Sequence, residues 1–272
     1  IFSVTRVVFV PFGDVAAFAA LSLAAFEGGR LPPTVGLVAM LALLAVLAEV
    51  WTLARRGEAA RIPRAVLGWG VLPLLPCALA WAVTSGVDGQ TLPQAVYIAS
   101  AIALVVPITP LVARVALQPI ADASVLVLLI ASLAVHFLLS GLGLLFFGPE
   151  GFRTAPLAAG ALELPGGLTV SGQVLLMVAA ALVLSGLFFL AFERTVAGKA
   201  LRATAVNRVG ARLVGIRPAR TALMAYGCAS LLAGLIGVLV APVNTMYYDS
   251  GFLIGLKAFV AAIIGGLTSY PL

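Results

Sequence analysis

Apolar runs of about twenty residues recur along nearly the whole chain, and this feature limits the possible folds more than any other. Of the 272 residues, 62% are hydrophobic and 10% are charged, whereas a soluble domain has about 45–50% and about 25%. A water-soluble core could not enclose so much apolar surface. The sequence therefore predicts an all-α polytopic transmembrane helical bundle in which residues 1–272 form a single domain.

The apolar runs predict eight or nine membrane segments. Six runs are long enough to cross a hydrocarbon core about 30 Å thick: 34–54, 65–84, 92–113, 125–147, 174–192 and 221–240. Two regions are ambiguous. Residues 1–10 resemble the remnant of a cut helix followed by a segment at 15–26, and residues 252–267 are short and rich in glycine. Because the chain begins with Ile1 and ends within a pattern, we expect that it is trimmed at both ends.

Basic residues concentrate in two loops, which predicts the topology. Residues 55–64 contain four arginines, and residues 194–220 contain six arginines and a lysine. Four predicted spans separate these loops, so both can face the cytoplasm, where basic residues accumulate. The segment 148–172 then lies outside, and its prolines and glycines predict an irregular rather than helical structure.

The basic segment 194–220 carries a second, helical pattern. Val206, Val209 and Leu213 recur at helical spacing, while Arg208 and Arg212 lie on another face. This pattern predicts an amphipathic helix over residues 203–215. Such a helix could dock in a groove of a soluble partner. It could equally rest on anionic lipid headgroups, and the periodicity alone leaves both readings open.

A few ionisable residues lie inside the predicted spans, where a charge is costly and often functional. His136 lies in the middle of a span, and Lys257 lies in the last apolar segment, with Asp14 or Asp249 as a candidate ion-pair partner. Asp14, His136 and Lys257 are therefore candidates for a transport pathway. The alternatives are a hydrogen bond from His136 to a neighbouring helix and a Lys257 side chain that snorkels to the interface.

The remaining motifs exclude several function classes. We find no phosphate-binding loop, nucleophile elbow or metal-ligand cluster, and Cys77 and Cys228 lie in apolar runs. We therefore predict no catalytic residue, metal or cofactor. The net charge of +6 reflects topology rather than nucleic-acid binding. Glu49 lies close to Arg55 and Arg56, and we interpret it as a solvated or paired boundary charge.

Prolines and glycines predict irregular helices and close helix contacts. Four prolines inside the spans should kink or end their helices: Pro73, Pro76, Pro107 and Pro110. Glycines at close spacing permit tight contacts between helices: Gly234 with Gly237, and Gly251 with Gly255.

Several sequence blocks, taken together, resemble a known family. Gly-Lys-Ala-Leu-Arg-Ala at 198–203, Ala-Arg-Leu-Val-Gly-Ile at 211–216 and Ala-Gly-Leu-Ile-Gly at 233–237 are similar to the permeases of branched-chain amino acid ABC importers. Further blocks at 255–259, 264–267 and 269–271 resemble the same family. The resemblance covers about residue 92 to the end, and residues 1–26 less closely.

The resemblance implies a multi-pass subunit of the bacterial inner membrane. It would pair with a second permease subunit, cytoplasmic ATP-binding subunits and an extracytoplasmic solute-binding protein, and it would import amino acids of the branched-chain class. The chain itself would be no enzyme, because ATP would be hydrolysed in a partner chain. Residues 193–220 would form the ATPase-coupling loop, and the residues of the loop that would make the contact are Arg202, Val206, Arg208, Val209, Arg212, Leu213 and Gly215.

The chain departs from the family pattern in two places. Residues 9–14 read Phe-Val-Pro-Phe-Gly-Asp, where the family usually has an Asn-Phe-Ala-His-Gly type of motif. Residues 29–90 contain an apparent insertion of two helices. A further helix is expected beyond Pro271.

Two other classes of membrane protein compete with this interpretation. An ion-coupled secondary transporter or channel would need ionisable groups in the middle of the membrane. A non-transporting scaffold subunit would show no ATPase stimulation by substrate.

Overall fold

The computed structural model describes residues 1–85, 92–121, 123–164 and 168–266, and it confirms an all-α polytopic bundle. The helices are α1 (Phe2–Thr5), α2 (Phe12–Glu27), α3 (Thr34–Arg55), α4 (Ala59–Ser85), α5 (Gln94–Ile120), α6 (Val125–Phe147), α7 (Gly172–Arg194), α8 (Val196–Val206), α9 (Arg208–Leu213), α10 (Pro218–Val240) and α11 (Gly251–Ile264). Within the described residues, the strands are β1 (Ala161–Leu164) and β2 (Leu168–Ser171), which form one antiparallel hairpin. The final block of the resemblance, residues 269–271, lies outside the described residues.

In the part of the chain that the structure describes, six helices are long and apolar enough to cross a membrane, and they coincide with the six predicted runs. These helices are α3, α4, α5, α6, α7 and α10. Helix α6 matches its predicted bounds because its ends carry local signals. The Ser124 side chain accepts a hydrogen bond from the Val127 N–H, and Gly148 adopts a positive φ of 77° directly after the last turn.

Helices α2 and α11 contain 16 and 14 residues, fewer than the roughly 20 that a membrane crossing needs, so the count of eight or nine membrane segments stays a prediction. The expectation that residues 1–10 form the remnant of a helix is wrong, because α1 ends at Thr5 after one turn. Arg6 then adopts a positive φ of 60°, and the chain is irregular up to Pro11. This irregular backbone is acceptable at membrane depth because it packs against protein rather than lipid.

Helix α2 is the centre of the bundle. Its residues 13–23 are all buried, and it packs against α10, α11, α5 and α6. Small side chains make this possible: a Cβ atom on Gly237 of α10 would lie only 2.0 Å from the carbonyl oxygen of Ala16. Gly237 of α10 and Gly251 of α11, where close contacts were predicted, therefore both pack against α2. These contacts enclose the short helix α2 on all sides.

The prediction that prolines kink or end their helices is confirmed at Pro107, because one α-helical stretch of α5 ends at Val105, Val106 and Pro107 form a turn, and the next stretch begins at Ile108. Pro73 and Pro76 lie within α4 and do not end it. Helix α4 contains a π-helical turn at Leu67–Val71 ahead of Pro73 and Pro76. Helix α5 contains a second π-helical turn at Ala113–Leu117, after Pro107 and Pro110. Wider turns of this kind often occur at functional positions in helices.

The segment 148–171 covers one end of the bundle, which we call the hairpin end. The carboxylate of Glu27 accepts hydrogen bonds from the Gln94 side chain (3.2 Å) and the Ala155 N–H (3.1 Å). Gln173 accepts from the Leu157 N–H (3.0 Å) and donates to the Leu239 carbonyl (2.8 Å). The described residues of this segment form no helix, as predicted, but the short β-hairpin was not expected.

The opposite end, which we call the basic end, contains both basic loops. Glu49 of α3 forms an ion pair with Arg114 of α5, and Ala113 and Leu117 pack in one cluster with Ala222 and Tyr226 of α10. The chain entering the 55–64 loop and the chain leaving the 194–220 loop therefore lie at the same end. An even number of crossings between the loops requires this arrangement.

Candidate functional site

A buried polar pair lies at half the depth of the bundle. Asp14, in the first turn of α2, is fully buried, and His136, in the middle of α6, is 4% exposed. His136 Nδ1 and Asp14 Oδ2 form a hydrogen bond of 2.7 Å. His136 is eleven residues from each end of α6, which at 1.5 Å per residue places it about 16 Å from either end. The sequence identified both residues as pathway candidates, and the structure brings them together.

Neighbouring groups hold this pair on three sides. Ser132, one turn before His136, accepts a hydrogen bond from the Val10 N–H (2.9 Å) and so fixes the irregular segment before α2. The ring of Phe252 on α11 lies 5.1 Å from the His136 ring. Gly251 packs directly on Asp14, because a Cβ atom there would lie 2.4 Å from Asp14 Oδ1. The pair therefore connects α2, α6 and α11.

The second carboxylate oxygen of Asp14 has no hydrogen-bond partner among the described residues. A buried polar atom without a partner is costly, and such atoms are concentrated at functional sites. The site can therefore form one further polar contact if α11 moves away from Gly13 and Asp14.

The predicted ion pair between Lys257 and Asp14 is wrong. Asp14 is occupied by His136 inside the bundle, whereas the Lys257 side chain is exposed on α11. Within the described part of the chain, Lys257 forms no ion pair with any carboxylate, Asp249 included. Lys257 stays a pathway candidate on the strength of its position in the sequence block alone.

The ion pair between Glu49 and Arg114 was only partly foreseen. The sequence placed a boundary charge at Glu49 beside Arg55 and Arg56, but the partner comes from another helix. Arg114 Nε donates to Glu49 Oε2 at 2.6 Å, and its guanidinium also reaches Gln118. The π-helical turn at Ala113–Leu117 contains Arg114, and a π turn leaves no simple pattern in the sequence.

The predicted amphipathic helix over 203–215 is wrong, because two helices replace it. Helix α8 ends at Val206, and Asn207 begins α9 by accepting hydrogen bonds from the N–H groups of Val209 (3.0 Å) and Gly210 (2.9 Å). Asparagine is a strong N-cap residue, and this local bond competes with a continuous helix. The predicted stop at Gly215 is confirmed, since its φ is +85°.

The break leaves an exposed apolar surface, which we call the α8–α9 surface. It consists of Val206, Val209, Leu213 and Val214, whose exposed fractions are 88%, 68%, 84% and 75%. Arg212 is exposed beside it, whereas Arg208 is half-buried and its Nε has no hydrogen-bond partner among the described residues. Arg202 pairs with Glu193 at 3.6 Å, so it points back toward α7.

Buried contacts of α8 fix the position of the α8–α9 surface. Leu201 packs in a buried cluster with Val4 and Ala225, and the hydroxyl of Thr221 on α10 donates to that of Thr204 on α8 at 3.2 Å. Helix α8 is therefore joined to α10 by a hydrogen bond and by apolar packing.

The described spans, the buried pair at half depth and the exposed loop surface define a polytopic helical membrane protein. Its residues 67–271 match the model of the family described as branched-chain amino acid transport system, permease component. The match covers most of the chain, and the protein belongs to this family.

Individual relatives agree with the assignment. The chain is 27% identical over 165 residues to the high-affinity branched-chain amino acid transport system permease protein LivH of Salmonella typhimurium, which covers 58% of this chain and 53% of that protein. LivH of Escherichia coli matches to the same extent. BraD of Pseudomonas aeruginosa is 36% identical over 103 residues, which is 36% of this chain and 32% of BraD. The chain spans about half the length of the LivH relatives, and no solved structure matches it.

Proposed function

We propose that this protein is the membrane-spanning subunit of an ABC importer that carries branched-chain amino acids across the bacterial inner membrane. The family membership supports the transport class. The observation that carries the proposal is the α8–α9 surface, where four large apolar side chains are exposed between two spans. A groove on a cytoplasmic ATP-binding subunit would cover these side chains.

The importer would contain further partners. Two ATP-binding subunits would hydrolyse ATP, so this chain would catalyse no reaction, and a solute-binding protein would deliver substrate at the hairpin end. A second permease subunit would pack beside this one. Helix α7 supports that arrangement, because no residue in its most apolar stretch of 18 residues is buried within this chain. Its apolar sides are free to face a second permease or lipid.

The contacts define a route from the α8–α9 surface to the buried pair. Thr204 connects α8 with α10, and α10 touches α2 backbone to backbone at Gly237 and Ala16. Asp14 lies half a turn before Ala16 on the same helix. Closure of the ATP-binding subunits would shift α10 and α2 together, and the pair with His136 would differ between the two states. A switch of this kind requires contacts that differ between the states.

Reconstituted transport tests the proposal. The protein is purified with its ATP-binding subunits and second permease, placed in proteoliposomes and supplied with binding protein and labelled leucine. We expect uptake that requires ATP hydrolysis and persists when a protonophore abolishes the proton gradient. Uptake without ATP would contradict the proposal.

The buried pair of Asp14 and His136 favours a second candidate function, an ion-coupled transporter. Ionisable residues in the membrane interior often form ion pathways. This candidate predicts that the protonophore stops uptake and that removal of ATP does not. The same proteoliposome measurement therefore separates the two functions, and a scaffold subunit would give no uptake under either condition.

A further inference from the structure

A pocket of about 200 Å³ opens near the hairpin end between α2, the loop at residues 30–33 and the end of α6. Its lining side chains are mostly apolar, although polar groups contribute part of the wall. The rings of Phe146, Phe147 and Phe152 and the side chains of Leu21 and Leu31 line it, and its one cationic group is Arg30. Sites for drug-sized ligands occupy about 300–1,000 Å³, so this pocket fits a single small molecule rather than a peptide.

Arg30 is available to bind an anion. Its side chain is exposed, and within the described part of the chain it forms no ion pair. The nearest carboxylate in sequence, Glu27, is engaged with Gln94 and the Ala155 N–H. A guanidinium group binds a carboxylate through two parallel hydrogen bonds. The pocket therefore combines an anion-binding group with an apolar wall.

The floor of the pocket leads to the buried pair. Phe147 stacks on Phe18 of α2, with ring centroids 5.7 Å apart and an interplanar angle of 19°. Phe18 lies one turn above Asp14 on the same face of α2. On α6, Gly143 makes room for the Phe18 ring, because a Cβ atom there would lie 3.0 Å from Phe18 Cε1. The stacked rings thus separate the pocket from the pair between Asp14 and His136.

We propose that this pocket is an outer subsite for an apolar amino acid, and the inference rests on the proposed function. Arg30 binds the α-carboxylate, and the branched side chain lies against the phenylalanine rings. The stack of Phe18 and Phe147 is the barrier that the amino acid passes on its way inward. The ligand class is an apolar group that carries a carboxylate.

Direct binding tests the subsite without transport. The full-length protein is placed in nanodiscs of phosphatidylcholine, without binding protein, and labelled leucine is titrated. We expect saturable binding that 4-methylpentanoate inhibits, because it retains the carboxylate, and that leucinamide, which lacks it, does not inhibit. Arg30→Gln should weaken binding about tenfold, the usual effect of losing a charge-assisted hydrogen bond. Arg64→Gln, which removes an exposed arginine at the basic end, should leave binding unchanged.

A second pair of variants tests the pocket itself. Ala25 lines the pocket, and Ala25→Phe should abolish binding by filling it. Ala24→Phe adds the same ring one position earlier on α2, where the residue is similarly exposed but does not line the pocket, and should retain binding.

Three results would overturn the proposal: no saturable binding to the wild type, equal inhibition by leucinamide, or unchanged affinity in Arg30→Gln. A fourth result would also overturn it: the pocket binds lipid instead if added phosphatidylglycerol in the nanodiscs abolishes leucine binding and this effect requires Arg30. If the importer shows ATP-dependent uptake but no leucine binds at the pocket, the subsite fails and the proposed function stands. If leucine binds but uptake needs no ATP, the proposed function fails.

Discussion

His136 Nδ1 lies 2.7 Å from Asp14 Oδ2, although 122 residues separate the two side chains in the sequence. The bond joins the first turn of the central helix α2 to the middle of α6. Both groups are enclosed by protein, and Gly251 of α11 lies against the carboxylate. The polar centre of the bundle is therefore a contact among three helices, and it should be important for both stability and transport.

A double-mutant cycle on this pair tests that role. Asp14→Leu leaves the buried His136 without its partner and should lower the free energy of unfolding by about 3 kcal/mol, within the range for breaking a buried polar pair. Adding His136→Phe should recover part of the loss, because no polar group is then orphaned. Unfolding is followed by circular dichroism in mixed micelles. Strictly additive effects of the two changes would show that the pair is not coupled.

The contact between α10 and α2 predicts an asymmetry between two glycines. Gly237→Ala places a Cβ atom against the Ala16 carbonyl and should destabilise the protein by about 1–3 kcal/mol, as overpacking does. Gly227→Ala, on the same helix, meets no atom within 4 Å and should leave stability unchanged or raise it by up to about 1 kcal/mol, because alanine favours a helix over glycine. Thermal unfolding in detergent compares them. Equal changes in stability for the two variants would show that Gly237 does not form the close contact with Ala16.

Lys257 is predicted to contribute to transport. Its charge is costly in an apolar helix, and it lies in the Gly-Leu-Lys-Ala-Phe block that resembles the family. Lys257→Met removes the charge and keeps most of the apolar stem, so uptake should fall at equal membrane abundance. Normal uptake by this variant would favour simple snorkelling of the lysine to the interface.

Cysteine labelling tests the predicted orientation. Thr154 is an unsuitable position in the 148–172 segment because it is only 5% exposed, whereas Ala159 is exposed. In a protein without Cys77 and Cys228, Ala159→Cys should react with an impermeant reagent from outside. Ala59→Cys, in the 55–64 loop, should react only after permeabilisation. The reverse pattern would invert the topology.

Much of the fold was predictable because membrane spans are a local property of the sequence. Hydropathy located the six long helices, and the bounds of α6 agree with the apolar run because Ser124 and Gly148 end the helix there. The break at Asn207 was missed because the apolar repeat continues through it, even though asparagine is a strong cap. The irregular backbone after Thr5 was missed because apolar composition does not distinguish a helix from an enclosed irregular segment.

The site was predictable only in part. An ionisable residue inside an apolar run is easy to recognise because its burial costs free energy. His136 and Asp14 could therefore be selected as candidates. Their pairing could not be derived, because it depends on how α2 and α6 approach each other across the bundle. The same limit applies to Glu49 and Arg114, where the local arginines were the more obvious partners.

The central claim is that the α8–α9 surface binds an ATP-binding subunit, and Val209→Asp tests it most directly. The change places a carboxylate in the middle of the apolar surface, where burial without a partner should cost several kcal/mol. Ala59→Asp places the same group in the other basic loop and serves as the control. The measurement is retention of the ATP-binding subunit when the permease is purified from membranes. We predict that Val209→Asp is inserted normally but loses the subunit, whereas Ala59→Asp retains it. Full retention by Val209→Asp would contradict the account and would favour a lipid-bound loop.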